Sequence, residues 1–174
     1  MTAPGFNLYI IENGTKRDKL GNYLIGSYKA RFDKSGRIKI PEQFRAAIEE
    51  KFGRDVFITS LNDPAVQIYP LAVWEEFAGL SKEKSAPIRP YVKNFMRRVN
   101  REGNFHEIDS KGRVLVNQSL KQRARLNEEV EIIGMNTYLE IWDKQVLDQM
   151  LEQNPLTDDD LERIAELKSR GDRE

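Results

Sequence analysis

The sequence predicts an α+β fold: two tandem β-hairpin–helix–β-hairpin repeats forming a pseudo-dimer, with a connecting helix and a C-terminal helix. Three observations carry this expectation. Asp33-Lys34-Ser35-Gly36-Arg37-Ile38-Lys39-Ile40 recurs 76 residues later as Asp109-Ser110-Lys111-Gly112-Arg113-Val114-Leu115-Val116, and self-similarity of this kind marks a repeat. Within each copy the apolar spacing passes from a period of two to a helical period and back. Each copy is about 45 residues, near the size at which an isolated domain can no longer bury a sufficient core. Two copies must therefore share one, and interleaved hairpins would close a small pseudo-symmetric barrel.

The elements follow in order. Residues 1–22 show little periodicity and read as a loosely held N-terminal extension. The first unit spans 27–73. Tyr28, Ala30 and Phe32 alternate with Lys29 and Arg31, as in a half-buried strand. Asp33 to Gly36 then forms a turn in which glycine supplies a positive φ, and Ile38 and Ile40 alternate with Arg37 and Lys39 on the return strand. Pro41 suits a first helical turn, Phe44, Ala47 and Ile48 form its apolar stripe, and Gly53 stands at its end. Val56–Thr59 and Val66–Tyr69 flank Asn62-Asp63-Pro64 as a second hairpin. A connecting helix over 87–101 carries Ile88, Tyr91, Val92, Phe95, Met96 and Val99 on one face and Arg89, Lys93, Arg97 and Arg101 on the other. The second unit spans 103–146. Val146–Leu151 reads as helix, and an acidic C-terminal helix lies within 154–174, opened by the capping pattern Thr157-Asp158-Asp159-Asp160.

Composition removes several function classes. The 174 residues contain no cysteine, so disulfide frameworks, thiolate metal sites and cysteine nucleophiles are absent. No apolar run approaches the roughly 18 residues of a membrane span, and no signal-peptide core is present; the expectation is a soluble, cytoplasmic protein with no membrane partner. Net charge is zero, 28 basic against 28 acidic residues, but the charges are segregated. From Lys16 to Arg45, nine Lys/Arg face three acids, net +6; Lys82 to Arg125 carries net +8, and Glu128 to Glu174 net −9. Such segregation suggests a polyanion-binding surface and an acidic tail.

The first hairpin is the sharpest chemical signal. Strand alternation places Lys29, Arg31, Arg37 and Lys39 on one outward face, with Lys34 in the turn. A two-stranded ribbon fits the DNA major groove, where cations meet phosphates and arginine can read guanine with two hydrogen bonds. Copy two keeps Lys111 and Arg113 but has Phe105, Glu107 and Leu115 where copy one has Lys29, Arg31 and Lys39. Copy one is thus the expected DNA reader, and Phe105 and Leu115 are expected at a contact between copies or protomers. Asp33 and Asp109, with Gly36 and Gly112, are expected to brace the turns by accepting backbone N–H bonds. Enzymatic readings find no constellation. His106, the single histidine, falls at an inward strand position and reads as a hydrogen-bonded core residue; Asp158–Asp160 read as a helix start; no phosphate-cradling glycine pattern occurs. No metal site, cofactor or small-molecule substrate is expected.

Gly26-Ser27-Tyr28, Asp33-Lys34-Ser35-Gly36-Arg37, Ile40-Pro41, Phe44-Arg45, Ile68-Tyr69-Pro70-Leu71 and Trp74, with the second Asp109-x-x-x-Arg113 and Glu140-Ile141-Trp142-Asp143, resemble the MraZ family over about residues 26 to 150. The resemblance implies two SpoVT/AbrB-like domains of the swapped-hairpin barrel type in a nucleoid-associated transcriptional regulator. It also implies a ring-shaped homo-oligomer on double-stranded DNA, at tandem promoter repeats upstream of its own operon in the division and cell-wall gene cluster. The family's DNA-binding arginines correspond to Arg37 and Arg113. Two departures stand out: the first 22 residues precede the family's usual start, and Val116-Asn117 replaces the common Ile-Pro. The alternatives are an AbrB-like antitoxin acting through the C-terminal segment, and a swapped-hairpin barrel with no nucleic-acid partner.

Overall fold

Strands are exchanged between the two copies. In the computed structural model, which describes residues 23–61, 64–79 and 89–171, the chain runs β1 (Leu24–Arg31), β2 (Arg37–Lys39), α1 (Glu42–Phe52), β3 (Asp55–Thr59), β4 (Ala65–Pro70), α2 (Leu71–Ala78), α3 (Pro90–Glu102), β5 (Asn104–Glu107), β6 (Arg113–Leu115), α4 (Gln118–Arg123), β7 (Glu129–Asn136), β8 (Leu139–Asp143), α5 (Lys144–Gln153) and α6 (Asp158–Gly171). Six strands form an antiparallel sheet in the order β1-β7-β8-β4-β3-β5, and β2 pairs with β6 in a separate ribbon. Copy one thus lends β1 to copy two, and copy two lends β5 to copy one.

Two expectations need correction. The first hairpin of each copy does not form as a local pair: β1 and β2 share only the bridge Phe32–Ile38, while β1 pairs along its full length with β7, from Leu24 opposite Asn136 to Arg31 opposite Glu129. Burial explains the exchange. Tyr28 lies opposite Ile132 and Ala30 opposite Val130, so the inward side chains of β1 meet apolar partners of the other copy. The closed barrel is also absent. The six-stranded sheet ends in two edges, β1 and β5, because β2 and β6 pair with each other instead of bridging those edges.

Local signals explain the remaining elements. Helix α1 starts after Pro41, and Gly53, at φ 84°, closes it with its N–H donating to the Glu49 carbonyl. The equivalent α4 is shorter, six residues against eleven, and the side chain of Asn117 makes no capping bond. Helix α5 is capped by Asp143, whose carboxylate accepts from the N–H groups of Gln145 and Val146. The β3–β4 and β7–β8 pairs are local hairpins, as the sequence predicts; Asn62-Asp63 of the first turn lies outside the described residues, as do residues 1–22, the start of the connecting segment with Ile88, and residues 172–174. No helix among the described residues is long and apolar enough to cross a membrane.

Both copies fill one core. Ile38, Ile40, Phe44, Ile48, Val56, Ile58 and Ile68 of copy one pack with Val114, Val116, Leu120, Val130, Ile132 and Ile141 of copy two. The other face of the sheet is also covered. There Phe57 and Tyr69 pack with Trp74 of α2 and Val99 of α3, Phe57 stacked on the Trp74 ring, and Trp142 packs with Leu147 of α5. Strands β4 and β8 are therefore buried on both faces throughout, which is why they lack the alternation seen in β1.

Candidate nucleic-acid interface

The β2–β6 ribbon is flanked by the two aspartate turns. In copy one, Asp33 N–H donates to the Arg37 carbonyl at 2.8 Å and Gly36 N–H to the Asp33 carbonyl at 3.0 Å; copy two repeats both bonds between Asp109, Arg113 and Gly112 at 3.0 and 2.9 Å. Each aspartate Oδ1 also accepts two backbone N–H bonds at 2.9 Å, Asp33 from Ser35 and Arg37, Asp109 from Lys111 and Arg113. These bonds hold both carboxyls below the ordinary aspartate pKa, the N–H of the following arginine being the chief cause in each. The turns then lock to the opposite copy: Ile40 N–H donates to the Gly112 carbonyl at 2.9 Å and Val116 N–H to the Gly36 carbonyl at 3.1 Å. Gly36 and Gly112 take φ of 78° and 76°, a left-handed conformation that a side chain strains.

Ile38 and Val114 lie opposite each other with side chains buried in the core. Alternation therefore sends Arg37, Lys39, Arg113 and Leu115 to the outer face, with Arg37 opposite Leu115 and Lys39 opposite Arg113. The two arginines are not equivalent. Arg113 Nε donates to Asp109 Oδ2 at 3.0 Å, and its Nη1 lies 3.4 Å from Asp33 Oδ2, so one guanidinium spans the turns of both copies. Among the described residues, Arg37, Lys34, Lys39 and Lys111 have no ion-pair partner. The outer face of the ribbon thus offers Arg37 and Lys39 to an anion, whereas Arg113 is already committed.

Lys29 and Arg31 are placed differently from the sequence reading. Lys29 and Arg31 stand directly opposite Glu131 and Glu129 on β7, and Arg31 forms an ion pair with Glu129. They share a shallow groove with Lys39 and Glu42, so they flank the ribbon and carry compensating acids. Sequence reasoning missed Glu129 and Glu131 because the exchange that brings them beside β1 is not a local feature. It also missed Arg45, which pairs with Glu42 at 3.1 Å and packs on Gly112, where an added Cβ would meet its Cδ at 2.8 Å. Phe105 is 66% exposed and Leu115 borders on exposed. His106 is half-buried, and its Nε2 is buried without a hydrogen-bond partner among the described residues, so the expected hydrogen-bonded ring is not found; burial lowers its pKa. No group of three or more potential metal ligands occurs among the described residues.

Fold and surface together define a class: a two-copy α+β protein with exchanged strands that presents a cationic two-stranded ribbon between twin aspartate-braced turns. Residues 23–88 and 101–166 each match the family described as "MraZ protein, putative antitoxin-like". The chain belongs to the MraZ family. It is 38% identical to the transcriptional regulator MraZ of Acidobacterium capsulatum over 144 residues, covering 81% of this chain and 96% of that relative. The protein of the same name from Koribacter versatilis is 31% identical, covering 82% of this chain and 97% of the relative. That of Finegoldia magna is 33% identical, with 79% and 92% covered.

Proposed function

We propose that this chain is a cytoplasmic, nucleoid-associated transcriptional regulator, not an enzyme. It binds tandem repeats in double-stranded DNA upstream of its own operon, in the division and cell-wall gene cluster, as a ring-shaped oligomer. The observation that carries the reading is the outward pair Arg37 and Lys39 on the β2–β6 ribbon, neither with an ion-pair partner among the described residues, between turns held by four backbone bonds to two aspartates. The relatives' shared name agrees with it. In this reading the units 27–73 and 103–146 are the two halves of a SpoVT/AbrB-like, swapped-hairpin pseudo-dimer, and the exchange of β1 and β5 supports that description.

The roles divide by environment. Arg37 reads a base edge or grips a phosphate, Lys34 and Lys39 contact phosphates, and Lys29 adds charge at the groove's margin. Arg31 contributes only on leaving Glu129. Arg113 acts mainly by positioning, holding the two turns in register. A handful of phosphate contacts on one protomer gives weak, salt-sensitive binding. A ring aligns several ribbons, so later contacts become intramolecular and avidity rises by roughly 10²–10⁴.

The test is a gel shift with DNA from just upstream of the gene at two salt concentrations. Arg37→Ala should abolish retardation without altering the thermal melt. Arg113→Ala should weaken binding less and lower Tm, because it frees both turn aspartates. Equal retardation by wild type and Arg37→Ala overturns the reading.

A further inference from the structure

Of the four outward side chains on the β2–β6 ribbon, three are cationic and the fourth is apolar. Arg37 stands opposite Leu115, and Lys39 stands opposite Arg113. The repeat makes Leu115 the counterpart of Lys39, each six residues after its turn aspartate. The internal symmetry of the ribbon's outer face is therefore broken at this one position.

Leu115 takes no part in the core. It is 36% exposed, whereas Val114 and Val116 on either side of it are buried. One of its methyl groups leans on the first turn, where a Cβ added to Gly36 would meet Leu115 Cδ1 at 3.7 Å. The Val116 N–H, which donates to the Gly36 carbonyl at 3.1 Å, fixes the strand beside it. The side chain is thus held in place with apolar surface still facing outward.

Charge explains why this position is not a lysine, because like charges directly opposite one another are destabilising. Arg113 tolerates Lys39 opposite it through its bonds to Asp109 and Asp33, and Arg37 has no such ion pair among the described residues. A neutral polar residue would relieve that repulsion equally well. A leucine kept partly in water on a surface that faces an anion calls for an apolar group on the ligand. Among the base edges of the major groove, thymine supplies that group, its 5-methyl.

We propose that Leu115 reads a thymine through this methyl, one or two base pairs from the pair that Arg37 touches. Directly opposed residues on paired strands hold their Cβ atoms about 5 Å apart, and successive base pairs rise about 3.4 Å, which sets the spacing. The proposal rests on the DNA-binding reading above and adds the class of base that the second copy recognises.

Fluorescence anisotropy with the full chain tests it. The probe is double-stranded DNA from just upstream of the gene, made once with thymine and once with uracil, which lacks only the 5-methyl. Wild type should bind the thymine form at least about fourfold more tightly, the ratio expected for burying one methyl-sized group. Leu115→Ala should bring that ratio close to one, and Leu115→Met, which keeps an apolar tip, should retain it. Lys39→Ala should weaken binding of both forms alike and leave the ratio unchanged. Equal binding of the two forms by wild type overturns the proposal without recourse to any variant. So does a thymine preference that survives Leu115→Ala. The DNA-binding reading fails in a different way, taking the proposal with it: wild type binds neither form, or Arg37→Ala binds both as wild type does.

Discussion

Asp109 shows how one residue ties local chemistry to the interface. Its carboxylate accepts the Lys111 and Arg113 N–H bonds and the Arg113 side chain, and its pKa lies below the ordinary 3.8 because the ionised form is the one so bonded. A carboxyl held low in the folded state contributes stability that is complete above the unfolded value and is lost as pH falls through the folded value. Wild type should therefore exceed Asp109→Asn in Tm at neutral pH, and the gap should close as pH drops below 3.8, in thermal melts followed by circular dichroism. A gap of constant size across that range would contradict this account. Both turns are recognisable in the sequence, since Asp-x-x-Gly specifies its own bonds within five residues. The unequal commitment of Arg37 and Arg113 is not, because Arg113 reaches an aspartate 80 positions away.

Among the elements, β1 depends on a single close approach. A Cβ added to Gly134 would lie 2.3 Å from the Leu24 carbonyl oxygen, so only glycine lets β7 accept the start of β1 in this register. Gly134→Ala should cost about 1–3 kcal/mol, as overpacking does, and release β1 selectively. Amide exchange would then accelerate at Leu24–Tyr28 more than in β3 or β4; uniform acceleration would show that β1 is not held this way. Strand existence was legible here from the alternation of Tyr28, Ala30 and Phe32. Strand partnership was not. The same alternation serves a local hairpin or an exchanged strand equally well, and the choice falls to Val130 and Ile132, about a hundred residues on. Helix α4 begins at the position equivalent to the start of α1 and ends earlier, at Arg123, where α1 runs a further turn and more to Phe52.

At the scale of the molecule, the two copies are mutually dependent. The core cluster draws side chains from both, and β1 and β5 each complete the other copy's half of the sheet. A fragment of residues 23–88 leaves Ile38, Ile40 and the edge of β3 uncovered, so it should remain unfolded as a monomer, or fold only by pairing with a second fragment. Circular dichroism and sedimentation of that fragment check this, and a cooperatively melting monomer would sink it. Single mutations then act on the whole: Ile132→Ala, in the shared core, should lower stability by about 2–5 kcal/mol for both copies in one transition.

What could be read along the chain was whatever is encoded within a few residues: the duplication, the strand and helix periods, the turn aspartates and glycines, the caps, and the segregated charge that marks a surface for an anion. What only the folded molecule settles is who pairs with whom. Period and turn chemistry act through neighbours in sequence, whereas the exchange of strands, the glutamates opposite Lys29 and Arg31, and the open sheet in place of a closed barrel arise from packing between residues that the chain keeps far apart.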